Sequence, residues 1–348
     1  MTQLVAAIMG GVDLIELARI VDDALAAARR LPSGEEYWDL LGKTTGVGSV
    51  AADLALGMLR SNDSVVRATG CDLLGAACNG NGEPHRWAAT ALVDLAASET
   101  SREVVRSIAG ALEHVADLSA IPLLVELASY DDSDVRRKVA LALPAAMTDH
   151  CDDAAVEALI RLSRDPDAAT RNWATFGLGR QVGVDSAEVR EALWARTDDK
   201  DPDVREEGIC GLARRRDRRM LPLVADLLAA GDAHSWLFDA AAWLGDESLV
   251  PLLEEYDVAV VERAMRECVP ARVGARDVAC RDLLRLVQTA LDDQRPGLIA
   301  AVFCDRLDYA SPFLRIGGDN DRVWFVETLL EAVNGDPAAA ADRVMEQL

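Results

Sequence analysis

DPDVREEGICGL, residues 201–212, carries the phrase on which the fold turns. Asp and Pro open a turn, Val-Arg begins a helix, and small or apolar residues follow at helical spacing as far as Leu212. With the Arg position taken as zero, the phrase recurs at Arg67, Val105 (slipped by one, so that Arg106 follows), Arg136, Arg171 and Arg205, and an Arg-less copy starts at Leu237. A leucine stands at plus seven in every copy: Leu74, Leu112, Leu143, Leu178, Leu212 and Leu244. Copies 31–38 residues apart have the period of stacked helical hairpins. Positions zero, three, four and seven share one helix face, and small residues at three or four let a neighbouring helix come close.

A second phrase runs ahead of several of these helices, as IPLLVELAS (121–129), LPLVADLLA (221–229) and VPLLEEY (250–256). Each puts a proline where the first helical turn tolerates a missing N–H. Acidic turns lie between the phrases: Asp131, Asp132 and Asp134; Asp165 and Asp167; Asp199, Asp201 and Asp203. Aspartate there caps the following helix and complements its dipole.

These residues resemble HEAT repeats of the phycobilisome-lyase-like variety, whose D-P-D turn and V-R-x-x-A-x-x-A-L helix match 201–212 closely. The resemblance covers roughly residues 47–270 and implies an all-α fold, a right-handed α-solenoid of stacked helical hairpins. On this reading residues 1–46 form an N-terminal helical cap, 47–270 the array, and 271–348 a divergent C-terminal helical segment with a long loop at 311–321. Such repeats serve scaffolds, inhibitors, lyases and nucleic-acid enzymes, so the fold does not carry the function.

Charge narrows the choice. Fifty-nine acidic against 36 basic residues leave a formal charge of −23, which disfavours nucleic acid and anionic membranes and favours a basic protein partner. Only Lys43, Lys138 and Lys200 are lysines, and with the excess of alanine this suggests a high-GC bacterial genome. The seven cysteines are scattered without a CxxC pair, as expected of reduced thiols in the cytoplasm. No basic leader opens the chain, and no apolar run approaches the roughly 20 residues of a membrane span.

Two sets of residues are candidate sites. Arg67, Arg106, Arg136, Arg171 and Arg205 form a ladder expected to pair with turn aspartates of adjacent repeats. Trp173, Phe176, Glu206, Glu207, Phe238 and Asp239 occupy outward positions of the second helices, where rings would anchor and carboxylates would steer an Arg- or Lys-rich partner on the concave face. Trp194 and Trp243 are expected to pack between helices, and the basic run at 213–219 to form a solvated, partly salt-bridged turn. His150 beside Cys151, Asp152 and Asp153 lacks the further ligands a metal needs. Catalytic residues, metal and cofactor are therefore expected to be none. The function expected is a non-catalytic protein–protein interaction module or scaffold, of an inhibitor or immunity type. The alternative that the resemblance admits is a HEAT-like DNA glycosylase or phycobilin-lyase relative.

Overall fold

The computed structural model describes residues 14–31, 34–44, 48–79, 85–147, 152–231, 233–295, 298–303, 313–317 and 322–348. The chain divides into two compact units, Met1–Glu207 and Gly208–Leu348.

In the first unit, α1 (Leu14–Arg30) and α2 (Glu35–Gly42) pack on each other and on α4. Hairpins follow: α3 (Gly48–Met58) with α4 (Ser64–Cys78), α5 (Arg86–Ala96) with α6 (Arg102–Val115), α7 (Ile121–Leu127) with α8 (Ser133–Ala146), and α9 (Asp153–Leu162) with α10 (Ala168–Phe176). Helix α11 (Ala187–Trp194) precedes α12 (Pro202–Arg214), within which the boundary between the units falls. The second helices stack in order, α4 on α6, α6 on α8 and α8 on α10, and this stacking makes the array a solenoid.

The repeated leucines explain the stack. Leu74, Leu112, Leu143 and Leu178 are wholly buried, as are Cys71, Ala109, Ala140 and Thr175 three residues before them. Small residues set the spacing between helices: a Cβ on Gly70 would come within 2.8 Å of Met58 Cβ, and one on Gly75 within 3.0 Å of Ala111 Cα. Aspartates cap several of these helices. Asp63, Asp132, Asp152 and Asp167 accept backbone N–H bonds in the first turns of α4, α8, α9 and α10. Helix α10 ends in a π turn, Gly177–Gln181, in which Val182 N donates to Gly177 O at 2.9 Å. Gly177 there lies against Pro144, whose ring would sit 2.7 Å from any Cβ.

The second unit holds α13 (Met220–Ala229), α14 (Ser235–Leu244), α15 (Val250–Leu253), α16 (Val258–Cys268) and the long α17 (Pro270–Gln294). A three-stranded antiparallel sheet then intervenes, with order β1 (Ile299–Phe303), β2 (Phe313–Gly317), β3 (Arg322–Phe325), before α18 (Val326–Glu331) and α19 (Pro337–Gln347). Leu314 and Ile316 of β2 join Leu283, Val287 and Leu291 of α17 and Val344 of α19 in a core of their own.

The sheet corrects two expectations for this segment. The stretch 311–321, expected to be a loop, contributes its central strand, because Leu314 and Ile316 alternate with exposed Arg315 at the two-residue period of a half-buried strand; residues 311, 312 and 318–321 lie outside the described residues. The segment, expected to be helical outside that loop, resumes helix only at Val326, since Arg322–Phe325 pair with β2. Among the described residues, no helix is long and apolar enough to cross a membrane.

Gly70→Ala tests the spacing. Although alanine favours helix by about 1 kcal/mol, the collision with Met58 is expected to make the variant less stable by about 1–3 kcal/mol in urea unfolding.

Candidate functional site

The ladder arginines share one geometry. Arg67 Nε and Nη2 donate to the Glu99 carboxylate at 2.8 and 3.1 Å, Arg136 to Asp165 at 2.6 and 3.0 Å, and Arg171 to Asp199 at 3.0 and 2.9 Å. Arg106 makes the same two-pronged contact with Asp132. In each case the acid lies in the turn of the next repeat. The remaining Nη1 turns back to a carbonyl of its own turn, six residues earlier: Ser61 for Arg67, Tyr130 for Arg136, Asp165 for Arg171 and Asp199 for Arg205.

The acids do a second job, since Glu99, Asp132, Asp165 and Asp199 also accept backbone N–H bonds within their turns. The Arg67 hydrogen bond holds Glu99 below its usual range, and Arg106 does the same for Asp132. For Asp199, burial pushes upward, but Arg171 and the turn amide outweigh it. Four of the five guanidinium groups are thus clamped by carboxylates and are not presented to a phosphate backbone.

Residues at plus two and plus five lie on a different face of the same helices, free of that duty. In the first unit the plus-two row reads Thr69, Ser107, Lys138, Trp173, Glu207, and the plus-five row Asp72, Gly110, Leu141, Phe176. Trp173 is 37% exposed, with its ring edge-on to Phe176 at 5.7 Å and 89°. The Arg180 guanidinium stands 5.8 Å over the Phe176 ring and pairs with Glu207 at 2.7 Å. Trp173, Phe176 and Glu207 are therefore linked through Arg180, and the π turn that carries Arg180 sets its position; π turns recur at functional sites. Glu206 is half-buried beside Glu207.

Phe238 and Asp239 belong to the second unit. Phe238, expected to face outward, is 6% exposed, because it packs edge-on against Tyr256, whose hydroxyl is tied to the Leu228 carbonyl. Asp239 pairs with Arg263 at 2.9 Å. Trp194, expected in the core, is exposed, whereas Trp243 is buried with Arg214 and Arg263 over its ring. In the basic run Arg214 and Arg215 are buried rather than solvated, Arg219 is held by Asp217, and Arg218 by Asp246. His150 and Cys151 lie outside the described residues; Asp152 caps α9. Among the described residues, no three metal-ligating side chains come together.

The plus-five row also holds a residue that the sequence reading passed over. Asp72 is buried and accepts from Tyr37 Oη at 2.7 Å and Ser107 Oγ at 3.1 Å. Burial pushes its carboxyl up, against the pull of Tyr37, Lys138 and Ser107. Burial together with Asp72 drives the Tyr37 phenol far above its ordinary value. Asp72 lies at a cavity of about 700 Å³ between α1, α2 and the second helices, with exposed Trp38 on its wall and Lys138 Nζ 5.8 Å from that ring. An acid at plus five, where the next copies have Gly110 and Leu141, was the available signal. Tyr37, 35 residues away, was not legible.

A family model of HEAT repeats matches residues 89–179 and 156–244. Protein YibA of Escherichia coli K12 is 34% identical over 137 residues, 38% of this chain and 47% of that protein, and YibA of E. coli O157:H7 matches equally. The chain thus spans about half the length of the curated relatives it matches. An X-ray structure of YibA superposes with a TM-score of 0.54 at 23% identity, covering 72% of this chain and 94% of that one, which is a likeness of fold.

Two expectations follow from the ladder. Arg171→Ala removes one partner of a pair whose side chains are each 6% exposed, and is expected to cost about 3 kcal/mol; Arg30→Ala breaks a pair with Glu36 that is more than half exposed, and is expected to cost under about 1 kcal/mol. Chemical denaturation of both variants checks the contrast. Because Glu99, Asp132 and Asp199 are lowered in the folded state, the stability they contribute is complete above their unfolded values near about 4 and is lost as pH falls through the folded ones. Thermal melts are expected to drop below about pH 4, and less steeply in Glu99→Gln.

Proposed function

We propose that this chain, whose residues 89–244 are HEAT repeats, is a non-catalytic interaction module that docks a basic protein on the second-helix face of its array. The observation that carries this reading is the exposed but immobilised Trp173. Its ring is held by Phe176, Phe176 lies under Arg180, and Arg180 is held by Glu207. A solvent-facing aromatic that is already ordered loses little entropy on binding, which suits it to the centre of an interface. Glu206 and Glu207 lie beside it, Glu207 paired with Arg180, and the chain's charge of −23 supplies long-range attraction for a cationic surface.

An inhibitory role follows from the same features. A carboxylate-rich face set against the basic surface of a nucleic-acid-binding or toxic protein occupies the place where phosphates would sit. That role requires affinity and charge but no chemistry, in keeping with a ladder in which four of the five cations are already paired with carboxylates.

The test is affinity capture of partners by the tagged chain at low and at physiological salt, with mass spectrometry of what co-elutes. A basic protein retained more strongly at low salt, and weakened by about 2 kcal/mol or more in Trp173→Ala, supports the reading. Glu207→Lys, which reverses a charge beside Trp173 and breaks the pair with Arg180, is expected to weaken the salt-sensitive part, and a cooperative thermal melt checks that the array still folds. Retention of nucleic acid, or of a small-molecule adduct without protein, overturns it.

A further inference from the structure

The cavity at Asp72 lies on the same helix face but is built differently from the Trp173 surface. Four side chains at its base, Tyr37, Thr69, Asp72 and Ser107, are polar and each is at least nine-tenths buried. Packing does not demand an acid there, since the neighbouring repeats fill the plus-five position with Gly110 and Leu141. Their hydrogen bonding is incomplete. Among the described residues both bonds to Asp72 fall on Oδ2, leaving Oδ1 to accept from whatever fills the cavity. Thr69 Oγ1, one helical turn before Asp72, is buried and interacts with Tyr37, but makes no hydrogen bond of ordinary geometry. Buried polar groups left in this state cost stability unless a ligand completes them.

The rim has a complementary charge. Arg106 and Arg137 are held by Asp132 and Asp134, but Arg102 and Lys138 form no ion pair among the described residues. Lys138 instead rests against the Trp38 ring and above Gly110, where a Cβ would come within 2.6 Å of its Nζ. Glu103, also at the rim, adds its negative field to that of Asp72. The site therefore offers two acids, one at the base, and two uncommitted cations at the mouth. A smaller hollow of about 210 Å³ shares Trp38, Asp72 and Lys138 and is floored by Gly75, Gly110 and Ala111, which leaves room for an extended backbone.

We infer that this cavity binds a short zwitterionic peptide, its free ammonium received by Asp72 and its carboxylate by Lys138 and Arg102. A combined volume of several hundred Å³ is in the range of small-molecule sites. The inference is independent of the protein-docking surface around Trp173, and neither test decides the other.

Isothermal titration of the full chain with three probes decides it: triglycine, N-acetyl-triglycine, which lacks the ammonium, and triglycine amide, which lacks the carboxylate. Triglycine is expected to bind saturably and about tenfold or more tighter than either capped analogue, a gap of about 1.4 kcal/mol per decade. Asp72→Asn retains an oxygen that can accept from Tyr37 and Ser107, and is expected to reduce triglycine affinity to that of the acetylated probe. Lys138→Gln is expected to reduce it toward that of the amide. Equal affinity for all three probes, or no saturable binding by any at millimolar concentration, overturns the inference. The probe series on the unmodified chain is decisive even if a variant fails to fold.

Discussion

The array depends on one contact, the two-pronged bond from an arginine at the start of a second helix to a carboxylate in the turn of the next repeat. Each partner serves two structures at once. The guanidinium holds the next turn with Nε and Nη2 and its own turn with Nη1, as Arg136 does between Asp165 and the Tyr130 carbonyl. The carboxylate holds the preceding helix and also satisfies amides at the head of its own. Hydrophobic stacking alone is non-directional and would tolerate slippage between hairpins. A charge-assisted bidentate bond has a direction and a length, so register is set at every step. This dual duty explains why an acidic turn and a Val-Arg pair travel together through the sequence.

Because register is settled at position zero, and packing by the buried residues at plus four and plus seven, positions two and five can differ from copy to copy. The molecule uses that freedom. Thr69, Ser107, Lys138 and Trp173 occupy one equivalent position, and no two are chemically alike except the hydroxyls. The least economical of these choices is Asp72. Its carboxyl is raised by burial, so its contribution to stability is present below its unfolded value and is lost as pH rises through the folded one. A residue that burdens the fold at neutral pH, next to a cavity, is where local consistency gives way to a site. The π turn after Phe176 is a second such departure, and it positions the arginine that steadies the aromatic pair.

The C-terminal segment follows other rules. Its sheet is covered on one face by α17 and the last two helices, and Val323 and Phe325 of β3 stay exposed on the other. Five-residue strands leave too little periodicity to distinguish them from loop or helix when glycines and aspartates flank them, as they do at 317–321. The helical reading of this segment failed there because the pattern from Val323 onward is compatible with a helix until the pairing of Arg322–Phe325 with β2 claims those residues.

Repetition made the helical array legible from the sequence alone. Arginine, acid and leucine recur at a fixed spacing, and each recurrence is an independent constraint on the same helix face. The turn acids and the Val-Arg phrase, which the structure joins, were likewise visible. Tertiary structure decided what happens at positions that do not repeat. Phe238 and Trp173 both looked outward by helical position, yet one is buried by Tyr256 and the other remains in solvent, because burial depends on the neighbouring element and not on the helix that carries the residue. The bond from Tyr37 to Asp72 across 35 residues has the same origin: α2 folds back onto α4, and no local pattern encodes where a remote hydroxyl will come to rest.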